Sequence, residues 1–368
     1  MPKEEWFREM FNKNMVSVIR EQSLAMEKAG TVTPQVLDYI YELGLFKLFV
    51  PKELGGRMVP LPEALRIFEQ ASWIDGSFGW LVTIGSGGGY FASSISPEVS
   101  RRIFSDSRAV IAGSGFPSGV ARPVAGGYEV SGQWKFCSGS THATVFTANC
   151  VIEADKPSAA PEIRSFILLP EQVKIADDWR AFGLKATASH SISVEGAYVP
   201  AEMTFELAKQ HTCFPDPLFR YPFMQFAETS FAAVSIGVCR HFLDEARRMV
   251  DLSREAWKAS NPDRSRFVTD RLEQADTEFE QAVANFYRVI DDTWQKQIGC
   301  VQLSEADGQQ ISRKCKQTAK TALHCAQSLF PYLGINAIME EAPVNRAWRD
   351  LQTVCQHTLL VSFRETGE

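Results

Sequence analysis

The spacing of apolar residues along the chain changes twice and so divides it into three stretches. From residue 3 to about 107 the spacing is helical. Leu37, Ile40, Tyr41 and Leu45 recur at steps of three and four. Thr33-Pro34 supplies a cap and a first-turn proline, and Ser96-Pro97-Glu98 repeats that start signal with an acidic first turn. From about 108 to 204 the period falls to two. Tyr128, Val130, Trp134 and Phe136 follow a Gly126-Gly127 turn, which sets Val124 and Tyr128 on opposite sides of a hairpin. Residues 143–154, 164–169 and 190–199 are further strands. Short strands separated by Pro-, Gly- and Asp-rich turns predict a compact barrel or sandwich. From residue 218 the helical period returns, and four helices fit, over 218–260, 263–298, 304–333 and 342–364. Ser304 is the N-cap of the third, with an acidic first turn. Long helices joined by short polar loops predict an antiparallel four-helix bundle. The fold class is therefore α+β and mostly α: a helical domain over 1–107, a β-barrel or sandwich domain over 108–205 and a bundle over 206–368.

Composition narrows the function without naming it. The 368 residues are 45% hydrophobic and 22% charged, an ordinary globular balance. A net charge of -6 without a Lys/Arg-rich run gives no footprint for nucleic acid or for a membrane surface. The N-terminus has no apolar leader segment, so the chain reads as soluble, cytoplasmic and unprocessed. Eight cysteines are scattered without a Cys-x-x-Cys pair, which gives no metal-site spacing and fits a reducing compartment.

Local motifs then succeed one another in an order that resembles the acyl-CoA dehydrogenase superfamily. Leu43-Gly44-Leu45 and Pro51-Lys52-Glu53-Leu54-Gly55-Gly56 are similar to its early signature. The run from Gly127-Tyr128 through Trp134-Lys135-Phe136-Cys137-Ser138-Gly139 resembles its strand pair, and WRAFGLKATASHSISVEGAYVP at 179–200 a later segment. Gly334-Ile335-Asn336-Ala337, then Asn345-Arg346-Ala347-Trp348-Arg349-Asp350 and His357, resemble the superfamily's flavin-dependent monooxygenase branch. That branch includes the oxygenase components of hydroxyphenylacetate hydroxylase and dibenzothiophene monooxygenase.

The resemblance implies a flavin, FMN or FAD, reduced by a separate reductase. It further implies a homotetramer and transfer of one oxygen atom to a small aromatic or heteroatom-containing substrate. A flavin is a flat apolar ring system with polar edges, which strand ends with an aromatic wall can hold. Phe136 would supply the wall and Ser138 the edge contact. From the residues alone, Phe136 reads as core and Ser138 as the start of a turn. Ser114 and Gly115 lie in a glycine-rich run, 113–119, that lacks the phosphate-loop and dinucleotide spacings. It reads either as a flavin-contacting loop or as a long hairpin loop. Arg349, Thr353 and His357 step by four and so share one face of the last expected helix. His357 there is a candidate acid or base, and Arg349 a cofactor or positioning residue. A dehydrogenase would need a carboxylate base instead. Glu340, Glu341 and Glu228 are the candidates, each out of register with the family's positions. The branch often carries a histidine after its Gly-Trp pair. Gly79-Trp80 is followed here by Gly85-Ser86-Gly87-Gly88-Gly89-Tyr90, so the glycines mark a close approach or a broken helix, and Tyr90 a polar substitute. A non-catalytic flavin-binding relative is the third reading.

Overall fold

The computed structural model describes residues 11–154, 161–207 and 214–363. Residues 3–10 of the first helical stretch, Cys213 and Arg364 lie outside them. The first stretch folds as α1 (Lys13–Ala29), α2 (Pro34–Glu42), α3 (Leu61–Ile74), α4 (Gly76–Gly87) and α5 (Pro97–Phe104). Thr33 and Ser96 cap α2 and α5 through their hydroxyls, with Pro34 and Pro97 in the first turns.

The middle stretch forms β1 (Ile111–Val124), β2 (Gly127–Cys137), β3 (Val145–Ile152), β4 (Ile163–Leu168), β5 (Lys174–Ile175), β6 (His190–Pro200) and β7 (Thr204–Phe205). The order β5-β6-β2-β1-β3-β4-β7 is one open mixed sheet, not the expected barrel. Its two edge strands are only two residues long and do not pair with each other, so the sheet cannot close. The β1–β2 hairpin forms as the turn signal indicates, with Val124 opposite Gly127 and Tyr128 opposite Pro123.

The last stretch gives α6 (Phe223–Ser260), α7 (Pro262–Ile298), α8 (Glu305–Leu329) and α9 (Pro343–Val354). Pro222 delays α6 beyond residue 218, and Pro331 stops α8 short of 333. Ser304 and Asp307 form a reciprocal capping box at the start of α8. The main correction concerns α9, which ends at Val354 rather than running to 364. Its C-terminal residues, Thr353-Val354-Cys355, are poor helix formers. His357 leaves the helix in an extended conformation, where its Nδ1 accepts the Leu359 N–H at 3.3 Å. Arg349, Thr353 and His357 therefore do not share a helical face.

Two cores hold the molecule. One joins α1–α4 to α6–α9 and runs from Phe11 to Leu360; the other lies against the sheet, around Trp134, Phe146 and Phe166. The first and last stretches thus share a single apolar interior, with the sheet between them in sequence. At their junction, α9 grips the segment 182–184. Arg349 Nη1 donates to the Phe182 carbonyl at 2.5 Å, and Asp350 Oδ1 accepts the Leu184 N–H at 2.6 Å. Arg349 also forms a two-pronged ion pair with Glu27 of α1, at 2.7 and 3.0 Å, and Lys185 approaches the same carboxylate at 3.1 Å. Burial opposes charge on Glu27, but Arg349 and then Lys185 outweigh it and hold its carboxyl below the usual range. A Cβ on Gly183 would lie 2.2 Å from the Arg349 carbonyl oxygen.

Two predictions follow from this junction. Gly183→Ala must push the segment off α9 and should lower unfolding free energy by about 1–3 kcal/mol in chemical denaturation. The second concerns pH. Burial first, and the neighbouring Asp75 carboxylate second, push the Asp350 carboxyl up to about 7. Asp350 therefore binds its proton more tightly in the folded chain than in the unfolded one, where carboxyls titrate near ~4. Its contribution to stability is complete below that value and is lost as pH rises towards 7. Asp350→Asn keeps an acceptor for Leu184, so its stability relative to the parent should rise between pH 5 and pH 8, by about 2 kcal/mol. A difference that stays constant with pH in paired thermal melts would contradict this.

Candidate active site

Two of the sheet's irregularities, one in β1 and one near the end of β2, hold the flavin-site candidates. β1 pairs with β3 in parallel until Ser114 and resumes at Gly119, so the glycine-rich run is a bulge within a strand, not a loop. The bulge is pinned by Asn149 Nδ2 donating to the Gly115 carbonyl at 2.8 Å and by Ser118 Oγ donating to the Gln133 carbonyl at 2.6 Å. The second irregularity lies in β2, where pairing with β6 shifts between Trp134 and Cys137. Phe136 sits in that shift with φ +66°, a left-handed conformation that a bulky residue adopts only under constraint. Phe136 is 68% exposed, Phe116 of the first bulge is 74% exposed, and the Trp179 ring stands edge-on 6.2 Å from Phe136. Bulges re-aim side chains, and here they turn apolar rings outward. Phe136 is therefore not core.

Directly after the second bulge the chain turns inward. Ser138 is only 6% exposed, and the indole N–H of Trp80 on α4 donates to its hydroxyl at 2.8 Å. The Trp80 ring stacks on Phe231 of α6 at 5.2 Å, and the His357 ring lies 4.3 Å from Phe231 and 6.1 Å from Trp80. Trp80 thus joins Ser138 to His357, which are 219 residues apart in sequence. Burial pushes His357 down to about 4, so the ring is neutral near pH 7. With Nδ1 accepting from Leu359, its proton sits on Nε2.

The remaining candidates separate from this group. Arg349 is buried and taken up by Glu27, Asn345 and Phe182. Glu228 is buried on α6, accepts a hydrogen bond from Ser312 of α8 and has the Lys316 ammonium 3.6 Å away. Glu340 and Glu341 are exposed on the connection before α9. The Gly85–Gly89 run is a broken helix: α4 gives way to a tighter turn at Gly88, and a Cβ on Gly85 would strike the Phe46 ring at 2.2 Å. Tyr90 is buried and donates to the Tyr221 carbonyl at 2.6 Å. Two residues escape the sequence reading. Trp80 was visible as half of the Gly-Trp pair, but no pattern tied it to Ser138. His142 stacks on Phe46 at 5.5 Å, and burial pushes it down to about 4. A cleft of about 1230 Å³ beside Arg66, Trp73 and Tyr287 takes in none of the Ser138 group.

An outward-facing aromatic pair beside two bulges, with a hydroxyl behind it, fits the apolar faces and polar rim of an isoalloxazine ring. Known proteins agree in fold. Residues 1–102 match the family model for the acyl-CoA dehydrogenase N-terminal domain, and 229–362 that for its C-terminal domain. Indole-3-acetate monooxygenase of Pseudomonas putida is 27% identical over 340 residues, covering 91% of this chain and 86% of that one. The 3-HSA hydroxylase of Rhodococcus sp. RHA1 superposes with a TM-score of 0.87 at 20% identity, over 94% and 91% of the two chains. XiaF from Streptomyces sp., in complex with FADH2, superposes with a TM-score of 0.80 at 19% identity, over 97% and 92%. By the ordered match of both family domains around the sheet, the chain belongs to the acyl-CoA dehydrogenase superfamily.

Proposed function

We propose that this chain is the oxygenase component of a two-component flavin-dependent monooxygenase acting on a small aromatic or heteroatom-containing substrate. The observation that carries the reading is the Trp80 bridge between Ser138 and His357, immediately behind the outward-turned Phe136. The names of the relatives support it. Reduced flavin, FMN or FAD, supplies two electrons to dioxygen, so that one oxygen atom enters the substrate and the other leaves as water. The sequence carries no dinucleotide fingerprint, which favours a separate reductase as the source of reduced flavin.

The residues divide the remaining work. Phe136 forms a wall against the flavin face, and the bulge at Ser114 and Gly115 brings backbone close to its edge. Ser138 contacts a polar edge of the ring. Phe231 and Trp80 give an aromatic substrate a flat apolar surface and keep water away, which protects the oxidation from wasteful side reactions. His357 presents its Nε2–H to a substrate or product oxygen and holds that proton in place at neutral pH. Arg349 acts from a distance, by fixing Phe182, as Asp350 beside it fixes Leu184. The exposed rings of Phe116 and Phe136 also support a homotetramer in which a neighbouring subunit covers the flavin. No helix among the described residues is long and apolar enough to cross a membrane, in keeping with a cytoplasmic enzyme. The dehydrogenase reading draws no support from its carboxylates, since Glu228 is tied to α8 and Glu340 and Glu341 face solvent.

The decisive experiment supplies reduced flavin from a generic reductase under ¹⁸O₂ and follows indole and simple phenols by mass spectrometry. One labelled oxygen in the product supports the proposal, whereas anaerobic bleaching of bound FAD by an acyl-CoA would replace it with a dehydrogenase. His357→Ala should lower turnover by ~10²–10⁴-fold with little change in melting temperature. Because burial keeps His357 neutral, parent turnover should show no step near pH 6.5. Phe136→Ala should weaken flavin binding about tenfold or more, read by equilibrium titration.

A further inference from the structure

Behind Ser138 runs an unbranched row of hydrogen bonds. Trp80 Nε1 lies 2.8 Å from Ser138 Oγ, Ser138 Oγ lies 2.7 Å from Ser189 Oγ, and Ser189 Oγ lies 2.7 Å from Thr187 Oγ1. Thr187 Oγ1 ends the row 2.8 Å from the Leu184 carbonyl oxygen. All four side chains are buried. A hydroxyl has one proton and two lone pairs, an indole nitrogen only donates and a carbonyl only accepts.

Both ends of the row therefore fix its direction. Two oxygens at 2.8 Å need a proton between them, and a carbonyl has none, so Thr187 donates to Leu184. The proton between Ser189 and Thr187 then belongs to Ser189, and the one between Ser138 and Ser189 belongs to Ser138. At the other end Trp80 donates to Ser138. Every hydroxyl proton is committed away from the site, and Ser138 keeps one lone pair.

This has a consequence for the cofactor, resting on the flavin reading above. The N5 atom of a reduced flavin carries a hydrogen, whereas in the oxidised ring N5 is itself a bare acceptor. We infer that Ser138 meets the flavin as an acceptor only, and that Ser189 and Thr187, which do not reach the ring, thereby set a preference for the reduced state. An acceptor facing an acceptor is a buried mismatch, and it penalises the oxidised form after turnover. Ser189 and Thr187 are positioning residues in this scheme. Thr187 donates to the carbonyl of Leu184, the residue whose N–H Asp350 holds against α9, so the direction of the row is anchored outside the sheet.

The test is the ratio of dissociation constants for oxidised and reduced flavin, with FAD and FMN each titrated anaerobically into the intact protein. The parent should bind the reduced form more tightly. Ser189→Ala removes the partner that holds the Ser138 proton, which is then free to turn towards an oxidised ring. The ratio should fall about three- to tenfold, the scale of one hydrogen bond. Thr187→Val should act in the same direction by releasing the Ser189 proton. That substitution leaves the Leu184 carbonyl with Trp179 Nε1 at 3.0 Å and the backbone N–H of residue 187 at 3.2 Å, so the fold should survive it. Ser140 provides the control, since its hydroxyl donates to the Ala188 carbonyl at 2.8 Å outside the row, and Ser140→Ala should keep the parent ratio. The inference is overturned if the parent shows no preference, if neither row variant lowers the ratio, or if Ser140→Ala lowers it equally. Failure of the parent to bind flavin in either state would instead remove the flavin reading on which the inference stands.

Discussion

The arrangement of the site depends on the grip that the start of α9 exerts on Phe182-Gly183-Leu184. Arg349 and Asp350 are adjacent, yet one donates to the carbonyl before Gly183 and the other accepts the N–H after it. Only a residue without a side chain lets the two strands of backbone approach closely enough for both bonds. The pair thus serves opposite backbone groups, a donor for the carbonyl and an acceptor for the N–H. From Leu184 the constraint passes through the hydroxyl row to Ser138, and from Ser138 to Trp80. A buried polar network of this kind specifies one geometry, because each member that moves leaves another unsatisfied. Glu27 completes the grip by giving Arg349 a charged partner from the far end of the chain.

Much of this was legible in the residues and some was not. The two changes of period locate the helical and strand stretches, because the 3.6- and 2-residue repeats are imposed by which face meets a core. Proline and serine signals at Thr33-Pro34, Ser96-Pro97 and Ser304 mark helix starts, since those caps are satisfied locally. The end of α9 was not legible. Spacing alone continues the helix to His357, whereas the ring packs against Phe231, a contact between residues 126 apart that no local pattern announces. The barrel failed for a related reason: closure depends on edge strands whose pairing no local pattern encodes. At the candidate site, resemblance pointed to Ser138 and His357, but only three-dimensional packing links them through Trp80. Arg349 shows the converse. Its position in a motif was clear, but its guanidinium is occupied by protein.

The β2 bulge places backbone strain at Phe136, beside the proposed site. A phenylalanine held at positive φ costs on the order of 1–3 kcal/mol, and the surrounding ladder of β1, β2 and β6 has to absorb it. The reward for that strain is an aromatic face turned out of the sheet while the next residue but one turns in. Regular alternation could not separate Phe136 from Ser138, because residues two apart on a strand share a face.

The shared interior of the first and last helical stretches also has a meaning for biogenesis. Arg349 and Glu27 stand 322 residues apart, and Tyr287 reaches Glu69 across 218. On the ribosome, α3 emerges with an apolar face whose main partner, α6, has not yet been synthesised. At ~5–20 residues per second that wait lasts on the order of tens of seconds. The sheet, whose ladder pairs all lie between residues 111 and 205, can form during that interval. The nascent chain therefore carries a completed β unit flanked by an unsatisfied helical stretch, which makes the early helices, rather than the strands, the natural clients of a holding chaperone.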